Sequence, residues 1–173
     1  QTTHLHFDSV MGLEASDAFY GKILAYCGLK KPHSSIQRWR SRLQDTLLDT
    51  HFSLGKAKVI IADEPDSAYG ISKALMEAGT MCEAFIAQRS ELQSAFTCNV
   101  AVGDFEEVEQ KLPVYDAIIS NYHAERLARK HHKAVLVRGF PNYEQVGMGL
   151  RNNILYEGSC HFLCEVNNLL GHH

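Results

Sequence analysis

The stretch from Arg38 to Asp66, RWRSRLQDTLLDTHFSLGKAKVIIADEPD, joins an amphipathic helix to a short apolar strand and then to an acidic, proline-bearing turn. Few architectures accommodate that order. Ile36, Trp39, Leu43 and Leu47 recur at helical spacing and give one apolar stripe, while Arg38, Arg42, Asp45 and Asp49 take the opposite, solvated or partner-facing side. Trp39 is either such a contact residue or plain core packing. Ser34 with Gln37 reads as a capping box just after Pro32, and Gly55 as the stop. Lys58 to Ala62 (KVIIA) reads as a buried strand, and Asp63-Glu64-Pro65-Asp66 as the turn opening the next helix.

The rest of the chain repeats this theme. Upstream, Tyr20, Ile23, Leu24 and Cys27 fall on one side of a helix from Leu13 to Cys27, stopped by Gly28. Downstream, a helix through Ile71, Ala74, Leu75 and Ala78 ends at Gly79, and Cys82 to Ala87 is a second strand. A short helix over Glu91–Phe96 precedes a brief third strand at Val100–Val102, and Asp104 caps a helix over Phe105–Leu112. Tyr115–Ser120 and Ala134–Val137 are the fourth and fifth strands, separated by a helix from about Ala124 to Lys130. A last helix runs from about Glu157 to Leu170, with Phe162, Val166 and Leu169 inside. Strands alternating with helices predict a doubly wound α/β fold with a mostly parallel sheet, Rossmann- or flavodoxin-like, strand order unread. Residues 1–56 then form an N-terminal helical arm, and residues 57–173 one compact α/β domain.

Composition narrows function by exclusion. A net charge of −3, with both signs interspersed, recommends neither nucleic acid nor an anionic membrane as partner. No apolar run approaches the roughly 18 residues of a membrane span. The five cysteines, Cys27, Cys82, Cys98, Cys160 and Cys164, are odd in number and sparse, which points to a reducing cytoplasm rather than a disulfide framework. No signal peptide is visible, and Gln1 in place of Met marks the chain as a fragment or processed product.

In a parallel α/β sheet, ligands bind where the carboxyl ends of the strands open. Three loops there are distinctive: the one carrying Asp63 and Asp66, the one with Asn121 and His123, and the one with Gly139, Phe140 and Pro141. Their plainer reading is local, with Asp66 and Asn121 capping helices and Gly139 and Pro141 shaping a turn. The first loop carries three carboxylates where a dinucleotide site needs glycines, so a pyrophosphate is repelled. There is no Walker lysine and no nucleophile elbow. Cys160 and Cys164 share a helical side and are the candidate metal pair, but no CxxC knuckle supports them and Cys164 falls in the apolar stripe.

Several runs together resemble the C-terminal part of nitrogenase component 1-like proteins: FDSVMGLEASDAF, RWRSRLQDTLLDTHFSLG, VIIADEPD, VGDFEEVE, ISNYHAERLA, RGFPNYEQVG and CEVNNLL. The first and LQDTLLDTHF are similar to the branch that assembles the iron–molybdenum cofactor. The resemblance implies the last α/β domain of a longer three-domain subunit, with a structural and subunit-contact role and no catalysis of its own. It implies a NifE-like partner in a heterotetramer. An iron–sulfur cluster and an iron–molybdenum cofactor precursor belong to the full complex, with no cluster ligand in this stretch. The alternatives left open are a nitrogenase molybdenum–iron protein β chain, an oxidoreductase, and a small-molecule binding α/β module. The chain departs from the family's usual turns at Asn121-Tyr122-His123, Glu144-Gln145 and Tyr156-Glu157-Gly158.

Overall fold

Five apolar segments build the sheet: β1 (Lys58–Ala62), β2 (Met81–Ile86), β3 (Asn99–Val102), β4 (Ala117–Ser120) and β5 (Ala134–Val137). The structure, a computed structural model, describes residues 4–171. The strands lie in the order β3-β2-β1-β4-β5, all parallel. Ile60 at the centre stands opposite Glu83 on one side and Ile118 on the other. This is the Rossmann order rather than the flavodoxin one, and its direction reverses between β1 and β4.

β1 and β4 are apolar without alternation because both sides of the sheet are covered. Val59, Ile61, Ala117 and Ile119 pack under α3 (Pro65–Glu77) and α6 (Leu155–Gly171). Ile60, Phe85 and Ile118 pack under α4 (Phe105–Lys111) and α5 (His123–Lys130). The upstream helices, α1 (Leu13–Tyr26) and α2 (Ser34–Leu54), add to the first layer. α2 lies along α6, and its Leu43 and Leu54 are fully buried in the same core as β1. Trp39 is half-buried against that core, edge-on to His161 and under the Arg42 guanidinium.

Polar ties fix the helical pair at long range. The Glu77 carboxylate of α3 accepts from the free amides of Leu13 and Glu14, at 2.6 and 2.8 Å, and so caps α1 from another element. The Gly12 amide donates to Ser159 Oγ at 2.8 Å. Asp17 accepts from Arg40 Nε (2.9 Å) and Nη2 (2.6 Å) and from the Tyr156 hydroxyl (2.7 Å), joining α1, α2 and α6. The Arg40 guanidinium holds the Asp17 carboxyl below the usual carboxylate range, against the effect of burial.

Five local expectations are corrected. α2 is capped by His33, whose Nδ1 accepts from the Ser35 amide, because the ring reaches the N–H that Ser34, already helical, cannot. Asp66 sits inside the first turn of α3, whose N-cap is Glu64 without a side-chain cap bond; Asp63, one residue earlier, accepts from the Glu64 amide and the Ser67 hydroxyl. Cys27, which lies just past the end of α1, and Cys164, on the outer side of α6, are exposed. The expected helix at Glu91–Phe96 is a 3₁₀ turn over Glu91–Ala95. β4 begins at Ala117 because the Asp116 side chain accepts from the Lys58 amide and Tyr115 bonds Glu83 before the ladder starts.

Candidate functional site

The strand order places the carboxyl ends of β1, β2, β3 and β4 around one cleft of about 320 Å³, at the point where the sheet reverses direction. Asp63 leaves β1 directly into it. Its Oδ1 accepts from the Glu64 amide at 2.9 Å and its Oδ2 from Ser67 Oγ at 2.7 Å, so the carboxylate occupies the start of α3. Burial nevertheless pushes its carboxyl above the usual range, with those hydrogen bonds only partly opposing the shift. Gly139 lies against this carboxylate: a Cβ there would stand 2.6 Å from Asp63 Oδ1, so any side chain would have to displace it.

Asn121 leaves β4 on the other side of the reversal and accepts from the His123 amide at 3.0 Å, starting α5 as a cap. The Tyr122 amide donates to the Pro141 carbonyl, which pins the loop after β5 onto the start of α5. Phe140, 89% exposed, lines the cleft beside them and precedes Pro141 through a cis peptide bond. Asp63, Asn121, Gly139 and Phe140 are therefore brought together. Asp66 is not among the residues lining the cleft, and His123 lies on a separate, larger hollow of about 1140 Å³ between α4 and α5.

Reading loops one at a time misses what β2 and β3 contribute, namely Phe85, Asp104 and Phe105. Asp104 was legible as the cap of α4, and its Oδ1 accepts from the Glu106 and Glu107 amides. Its place in the cleft follows only from strand order. Arg138, just after β5, is likewise a finding of the structure. Its side chain is almost wholly buried, ion-paired with Glu165 and bonded to Asn153. Burial, and the neighbouring Arg151, bring its guanidinium down to about 10.

Among the described residues, the side chains do not fit an iron–sulfur cluster or a metal ion. Cys82 and Cys160 are buried, Cys98 is half-buried, and Cys27 and Cys164 face solvent on separate helices. Burial pushes the thiols of Cys82, Cys98 and Cys160 up, which disfavours the thiolate a metal requires. Among the described residues no three His, Cys, Asp or Glu side chains converge on one point.

With this geometry in place, comparison with known proteins decides the family. A family model described as nitrogenase component 1 type oxidoreductase matches residues 1–171. The chain belongs to the nitrogenase component 1 family. It is similar to the nitrogenase iron-molybdenum cofactor biosynthesis protein NifN of Rippkaea orientalis, at 31% identity over 98% of this chain and 39% of that protein. NifN of a Nostoc species is 32% identical over 94% of the chain and 37% of its own length. NifN of Rhodobacter capsulatus is 30% identical over 95% and 37%. A solved structure titled "Nitrogenase Cp1 at pH 6.5" superposes with a TM-score of 0.86 at 24% identity, over 94% of this chain and 38% of that one. At that identity the superposition speaks for the fold, a nitrogenase component 1 α/β domain. The chain spans about two fifths of the length of the curated relatives it matches. Among the described residues no helix is long and apolar enough to cross a membrane.

Proposed function

We propose that this chain is the C-terminal α/β domain of a NifN-like subunit used in iron–molybdenum cofactor biosynthesis, acting through subunit contacts rather than catalysis. In this reading residues 57–173 are one compact unit, with the 1–56 helical arm packed on it, inside a longer subunit. A NifE-like subunit is its partner. The iron–sulfur cluster and the cofactor precursor are held elsewhere in the complex, because the cysteines here are scattered and partly buried. The names of the curated relatives favour this branch over a nitrogenase β chain.

The observation that carries the contact role is the segment after β5. Phe140, Tyr143, Val146, Leu150 and Ile154 are all exposed within one loop, Leu150 at 90%. Five large apolar side chains gathered within fifteen residues of one segment mark an interaction site. The test is a graft: this chain replaces the matching segment of Rippkaea orientalis NifN, which is then co-expressed with a tagged NifE-like subunit. Recovery of the chimera with the tagged subunit is expected, together with at least a fivefold loss of recovery for Leu150→Asp. A soluble chimera that never co-purifies with the NifE-like subunit, or that pairs with a nitrogenase α chain instead, overturns the reading.

A further inference from the structure

We propose that the cleft at the carboxyl ends of β1 to β4 receives an arginine side chain presented by a neighbouring polypeptide, and not a phosphate-bearing ligand. In parallel α/β sheets that bind phosphate, free amides at the helix starts hold the anion. Here the chain's own acceptors take those amides. Asp104 Oδ1 holds the Glu106 and Glu107 amides of α4 and Asn121 Oδ1 holds that of His123 in α5, while α3 begins with Pro65, which has no N–H, behind the Asp63 carboxylate. An incoming phosphate meets carboxylates where it needs donors.

The same substitution makes the cleft a receptor of opposite charge. Asp63, Glu64 and Asp104 line it, and no lysine, arginine or histidine does. The rings of Phe105 and the exposed Phe140 line it too, with the buried Phe85 ring behind them already under the Lys111 ammonium at 5.2 Å. A flat, weakly hydrated guanidinium both stacks on aromatic faces and pairs with carboxylates, whereas a lysine ammonium is compact and strongly hydrated. The desolvated Asp63 carboxyl gains most from such a partner, since among the described residues it pairs with no cation and is held by Glu64 and Ser67 alone. The hydrophobic stem of an arginine suits the apolar floor formed by Ala62 and Val108.

The inference is separate from pairing with a NifE-like subunit, because its test needs no partner. The ¹⁵N-labelled chain is titrated with N-acetyl-arginine amide, with the neutral isostere N-acetyl-citrulline amide, and with inorganic phosphate. Saturable shifts of the Glu64, Gly103 and Asn121 amides are expected for the arginine probe, at least tenfold weaker for citrulline and absent for phosphate. Asp63→Asn should weaken arginine binding tenfold, and Asp66→Asn, outside the cleft, should leave it unchanged. Phe140→Ser, whose side chain is exposed and cannot unfold the chain, should weaken it threefold or more. Equal binding of citrulline, saturable binding of phosphate, no saturable shift with the arginine probe, or indifference to both Asp63→Asn and Phe140→Ser overturns the proposal.

Discussion

In the helical pair, Asp17 takes the Arg40 guanidinium and the Tyr156 hydroxyl, and Glu77 reaches across from α3 to the open amides of α1. At the strand ends, Asp63 is desolvated without a cation among the described residues, and Phe140, Val146 and Leu150 stand in solvent in the segment after β5. Both regions are rich in charged and aromatic groups. The first ties its Asp17 carboxylate to a cation, whereas the second holds Asp63 by hydrogen bonds from Glu64 and Ser67 alone. Buried polar groups that find partners fix a structure, whereas a desolvated carboxylate beside exposed apolar side chains is a cost without a structural return. The difference assigns architecture to the first region and contact with other molecules to the second.

The largest effect that could break this comparison concerns α2. If the helical pair is integral, Leu43→Ala, at a position fully buried in the main core, lowers unfolding free energy by about 2–5 kcal/mol. Val146→Ser in the exposed loop changes it by no more than about 0.5 kcal/mol. Urea unfolding of both variants decides the matter; equal losses would make the two regions energetically alike. Next in size is Glu77→Ala, which leaves the Leu13 and Glu14 amides without their acceptor and should cost about 1–2 kcal/mol. Hydrogen exchange confined to α1 should accelerate in that variant, and unchanged protection there would show that the remote cap is idle.

How far these features could be read beforehand depends on whether each was local. The strands at Ala134–Val137 and Lys58–Ala62 were legible because burial on both sides of a parallel sheet leaves a continuous apolar run. The Asp104 cap was legible because its acceptor and the amides it serves lie two and three residues apart. Glu77 gave no signal, since the amides it caps are 64 and 63 residues away. The cap of α2 was misread for the opposite reason: Ser34 fits the statistical pattern, but His33 has the geometry. Three loops of the candidate site could be named from the strands they follow. Their union with Phe85, Asp104 and Phe105 needed the order β3-β2-β1-β4-β5, which pairs strands distant in sequence. Which side of α6 holds Cys164 likewise depended on where α2 packs, and periodicity alone set it in the core when it is exposed.

The finest test sets two aspartates against each other. Asp17 has a folded pKa below its unfolded one, so its ionised form adds stability that is full above the ordinary aspartate range and is lost as pH falls through the lowered value. Asp63 has a folded pKa above its unfolded one, so ionisation opposes folding, and stability is regained as pH falls through the raised value. At pH 7, Asp17→Asn should therefore lower the urea midpoint, while Asp63→Asn should leave it unchanged or raise it. Below about pH 4 both differences should shrink, because the wild-type carboxyls are then becoming protonated as well. Because Asp17 is more than a third exposed, solvent screening keeps its part small, and the sign rather than the size is the readout. Should Asp63→Asn prove as destabilising at pH 7 as Asp17→Asn, its hydrogen bonds to Glu64 and Ser67 outweigh its desolvation. The carboxylate at the head of the cleft would then belong to the architecture, and the contrast between the two regions would end there.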